Sequence, residues 1–282
     1  MSKQKIYRRL LVLIFCAGLF AAGISWLEAY QKITTVTFLA VGEGDAILIS
    51  QGSNQILIDG GRTGKDLLSR LGRRMLFWDR TVEIVIATHP DADHIGGFTD
   101  LLVAYHVDKF LYTGAESKTE TYALLQKALA AQYTDMLKIF RGGTVRLPGG
   151  GDLSIEYPLT PLPQETAEAN TGSIVARFTY GATQMLFTGD LPSEETVLPD
   201  TAPVAILKVA HHGSRYSTSA AFLDLVKPQE AVISVGKNMY GHPTLDVIER
   251  LLEHHVRIHR TDTEGDISYR CTEELGKCVF VQ

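Results

Sequence analysis

Apolar and polar positions along the chain fall into two regimes. One is an uncharged apolar stretch over residues 10–27; the other is a body of short apolar runs and helix-like segments in alternation. In the body, residues 34–40, 46–50 and 55–59 predict three strands joined by short turns, and residues 64–74 suit a helix. Residues 83–88 form a short apolar run, the mark of a buried strand. Helices are predicted over 96–105 and 119–132, and strands over 107–112 and 136–140. A second β-rich block follows at 145–147, 153–157, 174–180 and 184–188. Beyond it, strands at 204–210, 230–234 and 256–260 alternate with helices at 218–226 and 244–254. Residues 267–270 and 278–281 close as a hairpin. Two β-rich blocks, each interleaved with helices, predict an α+β chain of two packed sheets with helices outside. Residues 158–169, rich in Pro, Glu and Thr, are the best candidate for a mobile loop.

Composition adds the class. With 45% hydrophobic and 21% charged residues, the chain is globular and not disordered. Lys3, Lys5, Arg8 and Arg9 precede the stretch at 10–27 and Glu28 ends it, the arrangement of a membrane span with a basic cytoplasmic flank. The stretch is at the short end of what crosses a bilayer. Residues 1–32 are therefore read as an N-terminal hydrophobic helix serving as a retained anchor, or as a signal peptide cut at the small residues around Gly23. Both readings place residues 33–282 outside the cytoplasm, single-pass at the cell membrane or secreted. The net charge is −5, and the body without residues 1–32 is more acidic still, which gives no sequence-independent grip on nucleic acid. Cys271 and Cys278 flank a hairpin tip and form a disulfide if the domain is exported; otherwise they are two small hydrophobes.

The candidate chemistry sits where apolar runs end. His89-Pro90-Asp91-Ala92-Asp93-His94 packs imidazoles and carboxylates into a loop after a buried strand. These groups are ligands for zinc and for manganese or iron. Positions 89, 91 and 93 of an extended loop point one way, and position 94 turns to a second metal. Carboxylates there are costly without a cation. Met185-Leu186-Phe187-Thr188-Gly189-Asp190 again runs an apolar strand into a carboxylate, one able to bridge two cations. Leu207-Lys208-Val209-Ala210-His211-His212-Gly213-Ser214 supplies two further imidazoles. One completes the second metal position and the other stands near a leaving group as general acid; His211, which follows the strand directly, is the preferred ligand. His242, between Gly241 and Pro243, is held extended and faces the site from another strand end. Lys208, Arg215 and Lys237 flank these motifs and read either as phosphate contacts or as solvated charge. His106, His254, His255 and His259 have no such context.

Taken in order, and with Leu57-Ile58-Asp59-Gly60-Gly61 ahead of them, these motifs resemble the metallo-β-lactamase superfamily. More narrowly they resemble the C-terminal extracytoplasmic domain of ComEC-type competence proteins, which serve DNA internalisation. Val41-Gly42-Glu43-Gly44-Asp45-Ala46, Asn170 to Ser173, Tyr240-Gly241-His242-Pro243, and Arg260-Thr261-Asp262 with Gly265 also match, so the resemblance covers about residues 34–270. It implies an αββα sandwich with two divalent metal ions, zinc or manganese, at one edge. By motif position, His89, Asp91 and Asp190 hold one ion; Asp93, His94, Asp190 and His211 hold the other. Asp59 orients the ligand loop. The implied reaction is hydrolysis by a metal-bridging hydroxide oriented by Asp93, with His212 or His242 assisting the leaving oxygen.

Departures from the family shape the functional reading. Asp91 stands where the superfamily usually has His, which makes the site richer in oxygen and suits manganese beside zinc. Glu43 replaces a usual Gln, and Thr171 one of two usual Asn. The multi-span channel of the competence proteins has no counterpart here, so the expectation is a stand-alone relative. The leading function is a metal-dependent phosphodiesterase, nuclease-like, acting on DNA, another nucleic acid or a cell-surface phosphodiester. The alternatives are a hydrolase of a non-nucleic-acid ester or lactam, and a non-catalytic partner of a competence or secretion apparatus tethered through the N-terminal helix.

Overall fold

The computed structural model describes residues 32–163 and 169–281, with some positions between 7 and 23. Strands β1 (Thr34–Phe38), β2 (Ile47–Gln51) and β3 (Asn54–Ile58) form an antiparallel meander, and β4 (Thr81–Ile86), β5 (His106–Tyr112) and β6 (Asp135–Lys138) continue it in parallel. A second sheet begins with antiparallel β7 (Thr144–Arg146), β8 (Asp152–Tyr157), β9 (Val175–Tyr180) and β10 (Thr183–Phe187). It continues in parallel through β11 (Ile206–Lys208), β12 (Glu230–Ile233) and β13 (Arg257–Arg260). The hairpin of β14 (Ile267–Thr272) and β15 (Lys277–Val281) crosses back to pair with β1 in the first sheet. Cys271 and Cys278 face each other in that hairpin and are joined by a disulfide.

Helices cover the outer faces: α1 (Gly64–Arg74), α2 (Ala92–Ile95), α3 (Phe98–Ala104), α4 (Glu120–Gln132), α5 (Glu194–Val197), α6 (Ala220–Val226), α7 (Leu245–Glu253) and α8 (Thr261–Glu264). Thr63, Thr119 and Ser219 start α1, α4 and α6 by accepting a hydrogen bond from a backbone N–H of the first turn. Alternation along the strands sorts the side chains. Phe38, Ile47, Ile49, Ile56 and Ile58 meet Phe178, Met185, Phe187 and Val232 between the sheets. Leu48, Leu57 and Val85 point outward onto Leu67, Leu71, Phe98 and Leu125, and Leu186, Leu207 and Ile233 onto Phe222, Leu223 and Val247. Strands buried on both faces read as continuous apolar runs, which is why the sequence pattern located them. Each such fully buried side chain contributes about 1.5–3 kcal/mol. The result is the expected αββα sandwich.

One expectation changes. Among the described residues no helix is long and apolar enough to cross a membrane, which corrects the expected single-pass placement at the cell membrane. A span needs about 20 apolar residues, and part of the N-terminal stretch that suggested one lies outside the described residues. Residues 164–168 of the expected mobile loop also lie outside them.

Candidate metal centre

The site forms at one edge, where loops leave the C-terminal ends of strands in both sheets, the usual place for chemistry in parallel segments. Asp59 follows β3, His89 to His94 follow β4, Asp190 follows β10, His211 and His212 follow β11, and Ser234 follows β12. Two glycines let these loops close. A Cβ on Gly44 would stand 2.0 Å from the carbonyl oxygen of Asp93, so only glycine brings that loop against the ligand run. At Gly213 the backbone has φ +84°, and a Cβ would meet the Pro243 ring at 2.6 Å.

Three imidazoles are fixed from behind through Nδ1. His94 Nδ1 lies 2.8 Å from Asp59 Oδ2, and Asp59 also accepts hydrogen bonds from the Thr88 backbone N–H and hydroxyl at 2.8 and 2.7 Å. His212 Nδ1 lies 2.9 Å from the Ser234 carbonyl. His89 Nδ1 lies 3.0 Å from the Thr88 hydroxyl and 3.4 Å from that of Ser173. Each Nε2 is thereby aimed into the centre. There, His94 Nε2 is 3.3 Å and His212 Nε2 is 3.4 Å from Asp190 Oδ2, and His212 Nε2 is 3.6 Å from Asp93 Oδ2. Ligand atoms of His89, His94 and Asp190 gather within 4.8 Å of one another, as do those of Asp93, His94 and His212. The Nε2 atoms of all three histidines and Asp190 Oδ1 are buried with no hydrogen-bond partner among the described residues. Buried polar atoms without partners are costly. Convergent imidazole nitrogens and carboxylate oxygens fit a divalent cation, so these residues suit the metal centre the motifs imply.

The charges at the centre are tightly linked. Burial works against the His94 and His212 imidazolium forms, but Asp190 with Asp59 holds His94 well above the ordinary histidine range. Asp190, Asp93 and Asp45 likewise push His212 up to about 10. Burial raises Asp93 and Asp190, yet the same two histidines outweigh it and keep both carboxyls well below the usual range. His89 moves the other way: burial and the charge of His94 hold it well below the ordinary value, hence neutral. Beneath Asp190 lies a buried ion pair. Lys208 contacts the Asp45 carboxylate, donates to the Gly189 carbonyl at 2.8 Å and stands 3.7 Å from Asp190 Oδ1. Asp45 Oδ1 is in turn 3.5 Å from His212 Nδ1.

The sequence-expected residues take unequal places. His89, Asp93, His94 and Asp190 are brought together. Asp91 lies at the margin, its Oδ2 3.7 Å from His89 Nε2 and its side chain 45% exposed. Of the histidine pair, His212 enters the cluster. His211, the expected ligand, is partly exposed, with Nε2 3.8 Å from Asp190 Oδ2, and its ring sits 5.5 Å from that of His242. Both histidines have positive φ, 49° and 53°, and this turn sends the second one inward. His242 is fixed by Asn238, which accepts from its backbone N–H and donates to its carbonyl. Lys208 is a buried structural cation rather than a surface phosphate contact. Sequence reasoning assigned no role to Asp45, Ser173 or Ser234. A charged Lys208 inside an apolar strand was the available signal that a buried partner existed.

Comparison with known proteins agrees with this architecture. Residues 39–237 match the family model described as Metallo-beta-lactamase superfamily. ComE operon protein 3 of Bacillus subtilis (strain 168) is 31% identical over 265 residues, covering 86% of this chain and 33% of that protein. Competence protein ComA of Neisseria gonorrhoeae is 26% identical over 245 residues, covering 85% of this chain and 32% of that protein. The chain thus spans about a third of the length of these relatives. Among solved structures, the metallo-beta-lactamase fold protein YhfI from Bacillus subtilis superposes with a TM-score of 0.57 at 13% identity, over 82% of this chain and 98% of that one. The matched range includes Asp45, Asp59, the 89–94 run, Asp190 and His212, the residues that build the cluster, and this chain belongs to the metallo-β-lactamase superfamily.

Proposed function

We propose that this member of a metal-dependent hydrolase superfamily is a two-metal phosphodiesterase. The observation that carries the reading is the set of buried, unpartnered ligand atoms of His89, His94, His212 and Asp190 facing one another. His89, Asp91 and Asp190 would hold one cation, and Asp93, His94, Asp190 and His212 the other, so His212 takes the role first given to His211. Bound there, the cations supply Lewis acidity and an activated water at neutral pH. The carboxylate at Asp91 favours hard cations, manganese beside zinc, and these suit phosphate oxygens better than a lactam.

The chain's own residues do the rest. Asp59 holds His94 in one ring orientation, and Ser234 does the same for His212. Lys208 with Asp45 fixes the floor under Asp190. His211 and His242 stand together on the exposed side, where a leaving oxygen would depart, and exchange a proton with it. The imidazolium form of either ring would give its proton to that oxygen, and burial, which lowers the pKa of both rings, makes that form the stronger acid. The competence names of the relatives support a nucleic-acid substrate and a link to a DNA-uptake or secretion apparatus.

The test is a panel assay on the full chain with Mn²⁺ or Zn²⁺, offering single-stranded DNA, duplex DNA, RNA, bis(p-nitrophenyl) phosphate and a cephalosporin. Metal-dependent cleavage of a phosphodiester, abolished by Asp190→Ala, is expected. Cephalosporin turnover without phosphodiester cleavage would reverse the assignment.

A further inference from the structure

We propose that Arg62 is the phosphate grip of this centre: its guanidinium binds the non-bridging oxygens of an anionic diester beside Asp93. The inference rests on the phosphodiesterase reading and adds a residue that no motif singled out. Arg62 follows Gly61 in the loop between β3 and α1. Its Nη2 lies 3.7 Å from Glu43 Oε2 and 3.7 Å from Asp93 Oδ2. These separations give charge attraction but exceed hydrogen-bond length. The guanidinium is steered by two carboxylates while its donors stay uncommitted among the described residues. Its side chain is 44% exposed, against 18% for Glu43 and 19% for Asp93, so the cation forms a rim over a more buried carboxylate.

The backbone beneath is fixed. Gly61 donates its N–H to Asp45 at 2.7 Å and accepts one from Gly97 at 3.0 Å. The Arg62 carbonyl is packed so tightly on Gly96 that a Cβ there would stand 2.2 Å away. Only the long side chain is free to adjust. The other cations nearby differ. Lys208 is buried and committed to Asp45 and Gly189. Among the described residues, Arg62 is the basic side chain, histidines apart, within ion-pair distance of Asp93. A planar guanidinium with free parallel N–H groups matches two oxygens of a phosphate, and a lysine does not. Glu43 holds it in place by charge.

The experiment measures inorganic phosphate binding to the full chain in Mn²⁺ by calorimetry, and KM and kcat on bis(p-nitrophenyl) phosphate. Variants are Arg62→Ala, Arg62→Lys and the double Arg62→Ala/Glu43→Gln. Arg62→Ala is expected to weaken phosphate binding and raise KM roughly 10–100-fold, with a much smaller change in kcat and unchanged metal content. Arg62→Lys should recover part of that loss. The double variant separates a grip from mere neutralisation of Glu43. If it stays as weak as Arg62→Ala, the grip stands; if it returns to wild-type binding, or if Arg62→Ala binds phosphate as tightly as wild type, the proposal fails. Phosphate binding lost with Arg62, in a wild type that cleaves no phosphodiester, would uphold the anion site and sink the phosphodiesterase reading instead.

Discussion

Lys208→Met is the sharpest test of how the site is held together. The substitution keeps the length of the side chain and removes its charge. Side-chain exposure is 1% for Lys208 and 2% for Asp45, so the loss strands a carboxylate in the interior. Removing one partner of a buried ion pair costs about 3–5 kcal/mol. Asp45 keeps His212 Nδ1 at 3.5 Å and His94 Nδ1 at 3.9 Å, both on imidazoles held in the charged form, and this partial compensation puts the expected loss at the lower end, about 3 kcal/mol. For a chain of this size that corresponds to a melting temperature lower by roughly 6–12 °C. Removing both charges, in Asp45→Asn/Lys208→Met, should cost less than the single change, with a coupling of about 2 kcal/mol. The assay is urea unfolding followed by circular dichroism, in chelator, so that bound cations add no stability of their own. A loss below about 1 kcal/mol for Lys208→Met, or a double variant as unstable as the two singles added, would refute the reasoning.

Asp59→Asn takes the carboxylate from His94 Nδ1 and should weaken metal affinity about 10–100-fold, read by competition with a chromophoric chelator; unchanged affinity would count against the support given to Asp59. His212→Ala should lower the bound metal by one ion, whereas His211→Ala should keep the metal and lower kcat roughly 100-fold, a contrast that metal analysis and kinetics separate. Glu194 is buried beneath the loop after β11, where both its oxygens accept from the Thr218 N–H at 2.9 Å, and burial raises its pKa from 4.5 to about 7. A carboxyl raised on folding favours the folded chain while protonated, so its contribution falls as pH rises from 4.5 to about 7, by up to about 3 kcal/mol. Urea midpoints across that window should fall more steeply in wild type than in Glu194→Gln, and parallel curves would exclude this carboxyl as the cause.

Much of the fold was legible because burial on both faces leaves a plain mark. The helix over 64–74 appears at its expected bounds, and each predicted strand appears within a few residues. The short helices α5 and α8 were not legible, since four residues carry no periodicity. The pairing of β14 with β1 joins residues more than two hundred positions apart, and no local pattern encodes it. At the site, ligand-type residues ending apolar runs were readable at His89, Asp93, His94 and Asp190. Which of His211 and His212 turns into the cluster was not, because extending the strand points to the nearer residue. The left-handed turn at both positions reverses that order. Asp45 lay in a family-like glycine-rich turn that gave it no role of its own, and only the fold brings Lys208 to it.

That pairing explains why the centre lies where the sheets meet rather than within either one. Asp45 and Asp59 come from loops of the first sheet, and Lys208 and Asp190 from strand ends of the second. Hydrophobic contact between the sheets is non-directional and does not by itself set how their edges align. The Lys208 contact to Asp45, the hydrogen bond from Asp190 N to the Ser173 hydroxyl at 3.2 Å, and His94 between Asp59 and Asp190 are directional, and all cross or flank that seam. Asp190, which would hold cations, therefore also helps to register one sheet against the other. The charge of Asp45, Asp59 and Asp190 is balanced by Lys208 and by the two charged histidines. A cation held there would take the place of the protons on His94 and His212 and not of Lys208, so the seam would stay intact.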